Sequence, residues 1–218
     1  MSILGDSIST YNGYSNGSAA NTTNSTISSN ACWYYTSRGD MTSAAYTWWY
    51  QANERLGLQL LVNNSYSGDQ LAGSGLGLTR CEQLHDDTGD NAGTNPDLIA
   101  VYFGTNDIGR NVSADTFREL YAQMVDKMQA KYKDADIFLF TLTPFGDTDV
   151  TADELNAYNA IIREIAEAKG CYVVDLYANS GINWDNYATY TIDGTHPNQA
   201  GMDLITACFI DAIEKAYV

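Results

Sequence analysis

The residues able to do chemistry are few, and they stand far apart along the chain. Ser7 follows a short apolar run, Met1-Ser2-Ile3-Leu4, that stops at Gly5-Asp6. A serine hydroxyl attacks an ester only when a base takes its proton and donors receive the charge that builds on the substrate oxygen. The chain contains two histidines, His85 and His196, and His196 stands three residues after Asp193 in Asp193-Gly194-Thr195-His196-Pro197. Pro197 steers His196 away from helical backbone. At this spacing the Asp193 carboxylate reaches one imidazole nitrogen and selects the tautomer. A helix-capping turn with a surface histidine fits the same residues.

Donors for an oxyanion stand in two further loops, Ser67-Gly68-Asp69 and Gly104-Thr105-Asn106-Asp107. Gly68 lets a backbone N–H approach a substrate with no Cβ in the way. Asn106 offers a side-chain amide and Ser7 its own N–H. Taken singly, Gly68 and Asn106 also read as ordinary turn formers.

The elements that must position these residues alternate in type. Apolar runs predict strands ending at Gly5 and over about 58–62, 98–103, 137–141 and 171–176, the third uninterrupted and therefore central. Helical spacing and caps predict helices over about 44–57, 76–86, 114–132, 153–169 and 199–216. Strand and helix alternate without repeat or linker, which predicts one α/β domain over residues 1–218, a parallel sheet covered on both faces. In such sheets ligands bind at the carboxyl ends of the strands, where the strand order reverses. Ser7, Gly68, Asn106 and His196 all fall in loops beyond a predicted carboxyl end.

Four motifs in this order, Gly5-Asp6-Ser7, Gly68, Asn106 and Asp193-x-x-His196, resemble the SGNH or GDSL hydrolase family over nearly the whole chain. The resemblance implies a three-layer α/β/α sandwich with a flavodoxin-like five-stranded parallel sheet, and esterase or acylhydrolase activity without a cofactor. Carried over by position, Ser7 is the nucleophile, His196 the base and Asp193 its partner, with Ser7, Gly68 and Asn106 forming the oxyanion hole. Ile8 stands where the family's name motif has Leu, a mild apolar change.

Composition narrows the partners. A net charge of −16, scattered rather than in runs, disfavours nucleic acid and anionic membrane, which need a basic face. No apolar stretch approaches a membrane span. The four cysteines lack C-x-x-C spacing, so no metal site is expected; Cys171 and Cys208 read as core thiols, and Cys32 and Cys81 are a pairing that spacing leaves open. Few lysines beside many Asn, Ser, Thr and Tyr suggest an exported bacterial protein. No leader precedes the first strand, which also suits a piece of a longer chain.

The long polar segment 8–42 is expected to border the site. Tyr11, Tyr14 and Trp184 are the candidate substrate-binding residues, with Trp33, Tyr34 and Tyr35 in the same bordering segments. Aromatic rings with polar edges suit sugar or aryl groups; packing of the loop against the domain is the competing use. A polar lid region, 15–31, points to a short-chain acyl ester, such as a carbohydrate O-acetyl group or an aryl ester, as the small-molecule or glycan substrate. A lipase-type or lysophospholipase-type acylhydrolase is the alternative, as is a non-catalytic glycan-binding or flavodoxin-like module. A receiver would need a Lys ending its last strand, which is missing, and an α/β-hydrolase a G-x-S-x-G elbow at a strand-to-helix turn, into which no predicted strand runs. His85, in the predicted 76–86 helix, reads as structural. Asp86-Asp87-Thr88-Gly89-Asp90 lacks calcium-ligand spacing. Arg110 is expected to meet a surface acid or a substrate carboxylate, and Asp6 and Asp107 to hydrogen-bond neighbouring loops.

Overall fold

The computed structural model describes residues 1–15, 32–73, 76–86, 93–146 and 149–217. Five strands, β1 (Ser2–Gly5), β2 (Val62–Asn63), β3 (Leu98–Tyr102), β4 (Asp136–Phe140) and β5 (Tyr172–Val174), form an all-parallel sheet in the order β2-β1-β3-β4-β5. This is the flavodoxin-like order. The chain steps from β1 to one side for β2, then crosses to the other side for β3. The crevice opened by that reversal lies at the end of β1, where Ser7 follows. The central strand β3 is buried along its whole length, as a strand covered on both faces must be.

The helices are α1 (Trp48–Leu56), α2 (Leu76–Arg80), α3 (Thr105–Gly109), α4 (Ala114–Lys131), α5 (Ala152–Lys169), α6 (Leu176–Asn179) and α7 (Gln199–Ala216). α1 packs on α7, and α4 packs on α5. Phe117, Tyr121, Met124, Val125 and Met128 form the buried stripe of α4, and Leu155, Tyr158, Ile161, Ile162 and Ile165 that of α5. Thr151 and Glu154 close a capping box at the start of α5, and Gly170 ends it in the left-handed conformation.

Several boundaries differ from the expected ones, for identifiable reasons. The second strand pairs at Val62–Asn63 rather than 58–62, because Asn63 is turned inward to give its amide to the Ser9 carbonyl at 2.9 Å. The first long helix starts at Trp48, capped by Thr47, after a separate 3-10 turn over Ala44–Tyr46 capped by Ser43. The helix predicted to reach residue 86 stops at Arg80, whose guanidinium is buried against Asp69 and Asn64. β5 ends at Val174 because Asp175 caps α6 and accepts from Arg163. α3 and α6 went unforeseen; each is barely a turn long. Among the described residues no helix is long and apolar enough to cross a membrane. The proposed polar lid, apart from Ser15, and residues 87–90 of the acidic run lie outside the described residues.

Candidate active site

Ser7 is delivered by the carboxyl end of β1. The strand stops at Gly5, where a Cβ would stand 2.7 Å from Ser9 Oγ; only glycine lets the chain double back so closely. Asp6 then caps a 3-10 turn over Ser7–Ser9, its Oδ1 accepting the Ile8 N–H at 3.0 Å. The Ser7 carbonyl accepts from the Thr10 hydroxyl at 2.7 Å. The indoles of Trp48 and Trp49 donate to Ser9 Oγ and Ser9 O at 3.2 and 3.0 Å. The turn is thus buried and bonded to two neighbouring elements, α1 and β2.

His196 arrives from the far end of the chain on a tighter, more exposed loop. The Ile192 N–H donates to the His196 carbonyl at 2.8 Å, closing a turn between Thr191 and Pro197. Inside it, Asp193 Oδ1 accepts the N–H groups of Thr195 and His196 at 3.0 and 2.8 Å, and Oδ2 lies 2.8 Å from His196 Nδ1. An ionised carboxylate only accepts, so Nδ1 carries the ring proton and Nε2 is left as an acceptor. Ser7 Oγ donates to that Nε2 at 2.9 Å. Burial pushes the Asp193 carboxyl up, but the His196 amide and imidazole and the Thr195 amide outweigh it, and its pKa lies below the ordinary value.

Gly68 stands on the loop that follows β2, whereas Asn106, expected in a loop, lies in the first turn of α3 directly after β3; β2 and β3 flank β1. The strand register sets Gly5 opposite Tyr102, and the Tyr66 N–H donates to the Gly5 carbonyl at 3.1 Å, so all three loops begin at one level. Gly68 has φ +76°, which a side chain would strain. Asn106 gives one amide N–H to the Asp69 carbonyl at 2.9 Å, joining the two loops. Arg110, expected to meet an acid, instead donates to the Gly68 carbonyl at 2.8 Å and to Gln70 Oε1.

Beneath these loops three carboxylates are buried. Asp69 is paired with Arg80 at 2.7 Å. Asp107 accepts the Leu71 and Ala72 N–H groups at 3.0 Å, and burial pushes its pKa up to about 6. Asp6 accepts the Ile8 N–H with Oδ1 and has the Thr105 side chain beside its carboxyl. Burial, reinforced by the charges of Asp69 and Asp107, pushes Asp6 up to about 7. Among the described residues no group of three or more His, Cys, Asp or Glu is arranged to hold a metal ion, and no disulfide links Cys32 to Cys81.

The three aromatic residues assigned to substrate lie elsewhere. Tyr11 is buried, its hydroxyl directed at the Met41 carbonyl. Tyr14 faces a surface pocket with Trp49, Tyr50, Leu58, Gln59 and Leu60, its ring 5.8 Å from that of Trp49. Trp184 is half-buried, its indole edge-on to Tyr187 and its Nε1 buried without a partner. Tyr11 is thus taken up by packing, whereas Tyr14 is exposed. His85 is in a bend rather than a helix, with Nδ1 3.0 Å from the Tyr132 hydroxyl. Among the described residues Trp33 does reach the site, its indole flat on the His196 imidazole, centroids 3.7 Å apart and planes 7° from parallel. Its only signal in the sequence was the cluster Trp33-Tyr34-Tyr35 within the polar segment.

The family model of the GDSL-like lipase/acylhydrolase family matches residues 3–204. A solved structure from Bacteroides ovatus, described as a GDSL-like lipase, is 22% identical, covers 98% of this chain and 98% of its own, and superposes with a TM-score of 0.67. A second, from Bacteroides uniformis and described in the same way, is 22% identical with coverage of 98% and 95% and a TM-score of 0.68. A member of the lipolytic G-D-S-L family from Veillonella parvula is 15% identical, with coverage of 98% and 97% and a TM-score of 0.66. At such identities the likeness speaks for the fold. No curated protein matches the chain.

Proposed function

This chain belongs to the GDSL-like lipase/acylhydrolase family and is an ester-hydrolysing enzyme, and from that premise we propose that Ser7, His196 and Asp193 carry its reaction within one catalytic domain. The observation that carries the assignment is the unbroken line of contacts from Asp193 Oδ2 through the imidazole to Ser7 Oγ, 2.8 and 2.9 Å.

Ser7 Oγ attacks the ester carbonyl carbon while His196 Nε2 takes its proton. The carbonyl electrons move onto oxygen, where the N–H groups of Ser7 and Gly68 and the Asn106 amide receive the charge. Asp193 holds the imidazole in one tautomer and steadies the imidazolium. As the tetrahedral intermediate collapses, the C–O bond to the alcohol breaks and Nε2 returns the proton to the leaving oxygen. Water, deprotonated by the same nitrogen, then attacks the acyl-Ser7 ester and releases the acid. Side chains, two backbone N–H groups and water carry every step.

For substrate, the reading is a short-chain acyl ester on a polar or aromatic alcohol, such as an O-acetylated carbohydrate or an aryl ester. Its support is a half-open cavity of about 450 Å³ lined by Asn12, Cys32, Tyr35, Thr36 and Arg38, in the same segment as the indole that covers His196. Polar edges and aromatic faces suit a sugar or aryl ring better than an alkyl chain. The lipase descriptions of the solved relatives favour the second reading, a longer-chain acylhydrolase. A ladder of p-nitrophenyl esters from acetate to decanoate separates the two. We expect kcat/KM to be highest at roughly two to four acyl carbons, since a polar lining with few apolar contacts gains little from a longer alkyl chain; a maximum at eight or ten carbons overturns the short-chain reading.

A further inference from the structure

We propose that Trp33 is a positioning residue for His196, holding the imidazole plane on the line between Asp193 and Ser7. The inference rests on the assignment of His196 as the base and adds a residue that no motif of the chain identifies.

Two hydrogen bonds do not fix a ring. The contacts at Nδ1 and Nε2 both lie near the imidazole plane, and both survive a rocking of the ring about the line that joins them. A flat surface pressed on one face removes that freedom. The Trp33 indole is such a surface, stacked at 3.7 Å and 7°, with the Tyr34 ring edge-on to the imidazole, centroids 6.3 Å apart.

The indole is itself tied to the nucleophile. The Thr10 hydroxyl donates to the Ser7 carbonyl at 2.7 Å and accepts the Trp33 N–H at 2.8 Å. One small side chain therefore sets the height of Trp33 relative to Ser7. From the other direction the Arg38 guanidinium stands 4.4 Å from the indole centroid, with its Nε donating to the Trp33 carbonyl at 3.2 Å. The residues that follow grip the histidine loop. The Tyr34 hydroxyl donates to the Pro197 carbonyl at 2.8 Å, and the Gln199 N–H donates to the Asp40 carboxylate at 3.1 Å. Residues 33–40 thus form a strap from the Ser7 turn to the His196 loop, with Trp33 where the two side chains meet.

A face-on indole also favours the imidazolium that forms as Ser7 loses its proton, since the negative face of the ring attracts the new charge. Both effects belong to the transition state more than to substrate binding, so they act on kcat.

The test compares wild type, Trp33→Leu and Trp33→Phe on p-nitrophenyl acetate, with thermal melting and the downfield proton NMR signal of His196 Nδ1–H followed in parallel. Small misplacements of a catalytic group cost up to about 100-fold. We expect Trp33→Leu to lose roughly 10- to 100-fold in kcat with KM within about threefold, and its NMR signal to broaden or move. Trp33→Phe, which keeps a flat ring, recovers most of kcat and the signal. A Trp33→Leu protein with wild-type kcat and an unchanged signal overturns the inference. So does a loss confined to KM, which makes Trp33 a substrate contact, or a loss matched in Trp33→Phe and tracking a fallen melting temperature, which makes it a packing residue. The NMR comparison needs no substrate. A wild type that hydrolyses no ester therefore overturns the assignment of function while leaving the stacking claim to be decided by the signal.

Discussion

The turn that carries Ser7 and the loop that carries His196 each hold one side chain still, by opposite means. Around Ser7 the backbone is buried and held from several sides. Asp6, Thr10, two indoles of α1 and Asn63 of β2 all bond to Ser7, Ile8 or Ser9. The His196 loop stands at the surface. The Asp193 side chain is 42% exposed and His196 13%, and one carboxylate both builds the turn and orients the ring. What the loop lacks in burial it borrows from residues 33–40. The nucleophile is placed by the sheet, and the base is placed by a short acid motif and a strap from a distant segment. Substitutions at the two ends should fail differently, activity going first at the histidine loop and stability responding first beneath Ser7.

The largest effect tests the exposed end. Asp193→Asn keeps the shape of the turn but reverses the tautomer preference of His196, and a loss of about 10⁴-fold in kcat is expected. Melting should change little, since Asn keeps an acceptor for the Thr195 and His196 N–H groups that build the turn. Steady-state kinetics beside calorimetry would show it; a variant that melts far lower yet turns over normally would erase the contrast.

Between the two ends stands Asn106. Asn106→Ala removes one oxyanion donor, and kcat should fall by about 10²- to 10³-fold with KM nearly constant. A rise in KM alone would make the amide a substrate contact.

The smallest effect lies at the buried end and concerns stability. Asp6 titrates near 7 when folded, whereas an unfolded carboxyl titrates near its ordinary value of about 4. Between those values the folded chain keeps a proton that the unfolded chain has shed, so this group's contribution to stability falls as pH rises from about 4 to about 7. Asp107, pushed to about 6, adds in the same direction. Asp6→Asn keeps an acceptor for the Ile8 N–H and removes the ionisation. Its melting temperature should gain on wild type between pH 5 and pH 8, by roughly 2–4 °C for each ~1 kcal/mol recovered. A variant that loses ground at pH 8 would mean that Asp6 is ionised and stabilising.

Much of this architecture was legible in the sequence because it is local. Apolar runs marked the strands and helical spacing marked α4, α5 and α7. The order of elements then implied the parallel sheet whose switch point receives Ser7. Asp193 and His196 were legible as a pair because they share one turn. Polar residues doing buried work were harder to read. Asn63 belongs to β2 because of a carbonyl at Ser9, and Arg80 ends its helix with its side chain on Asp69; nothing near either residue announces the partner. The aromatic residues are hard to read for the same reason. Tyr11, Tyr14 and Trp33 look alike in a polar segment, and only long-range contacts send Tyr11 into the core, Tyr14 against Trp49 and Trp33 onto the imidazole. Arg110 shows the converse, a cation expected to seek an acid that is taken by the backbone of the Gly68 loop.

The claim on which the rest depends is that Ser7 is the activated nucleophile. A fluorophosphonate reagent followed by peptide mass spectrometry measures it directly. The account predicts a single stoichiometric adduct on Ser7, loss of ester hydrolysis in step with labelling, and neither labelling nor turnover in Ser7→Ala. An adduct on another residue, or a Ser7→Ala protein that still hydrolyses esters at the wild-type rate, would contradict it.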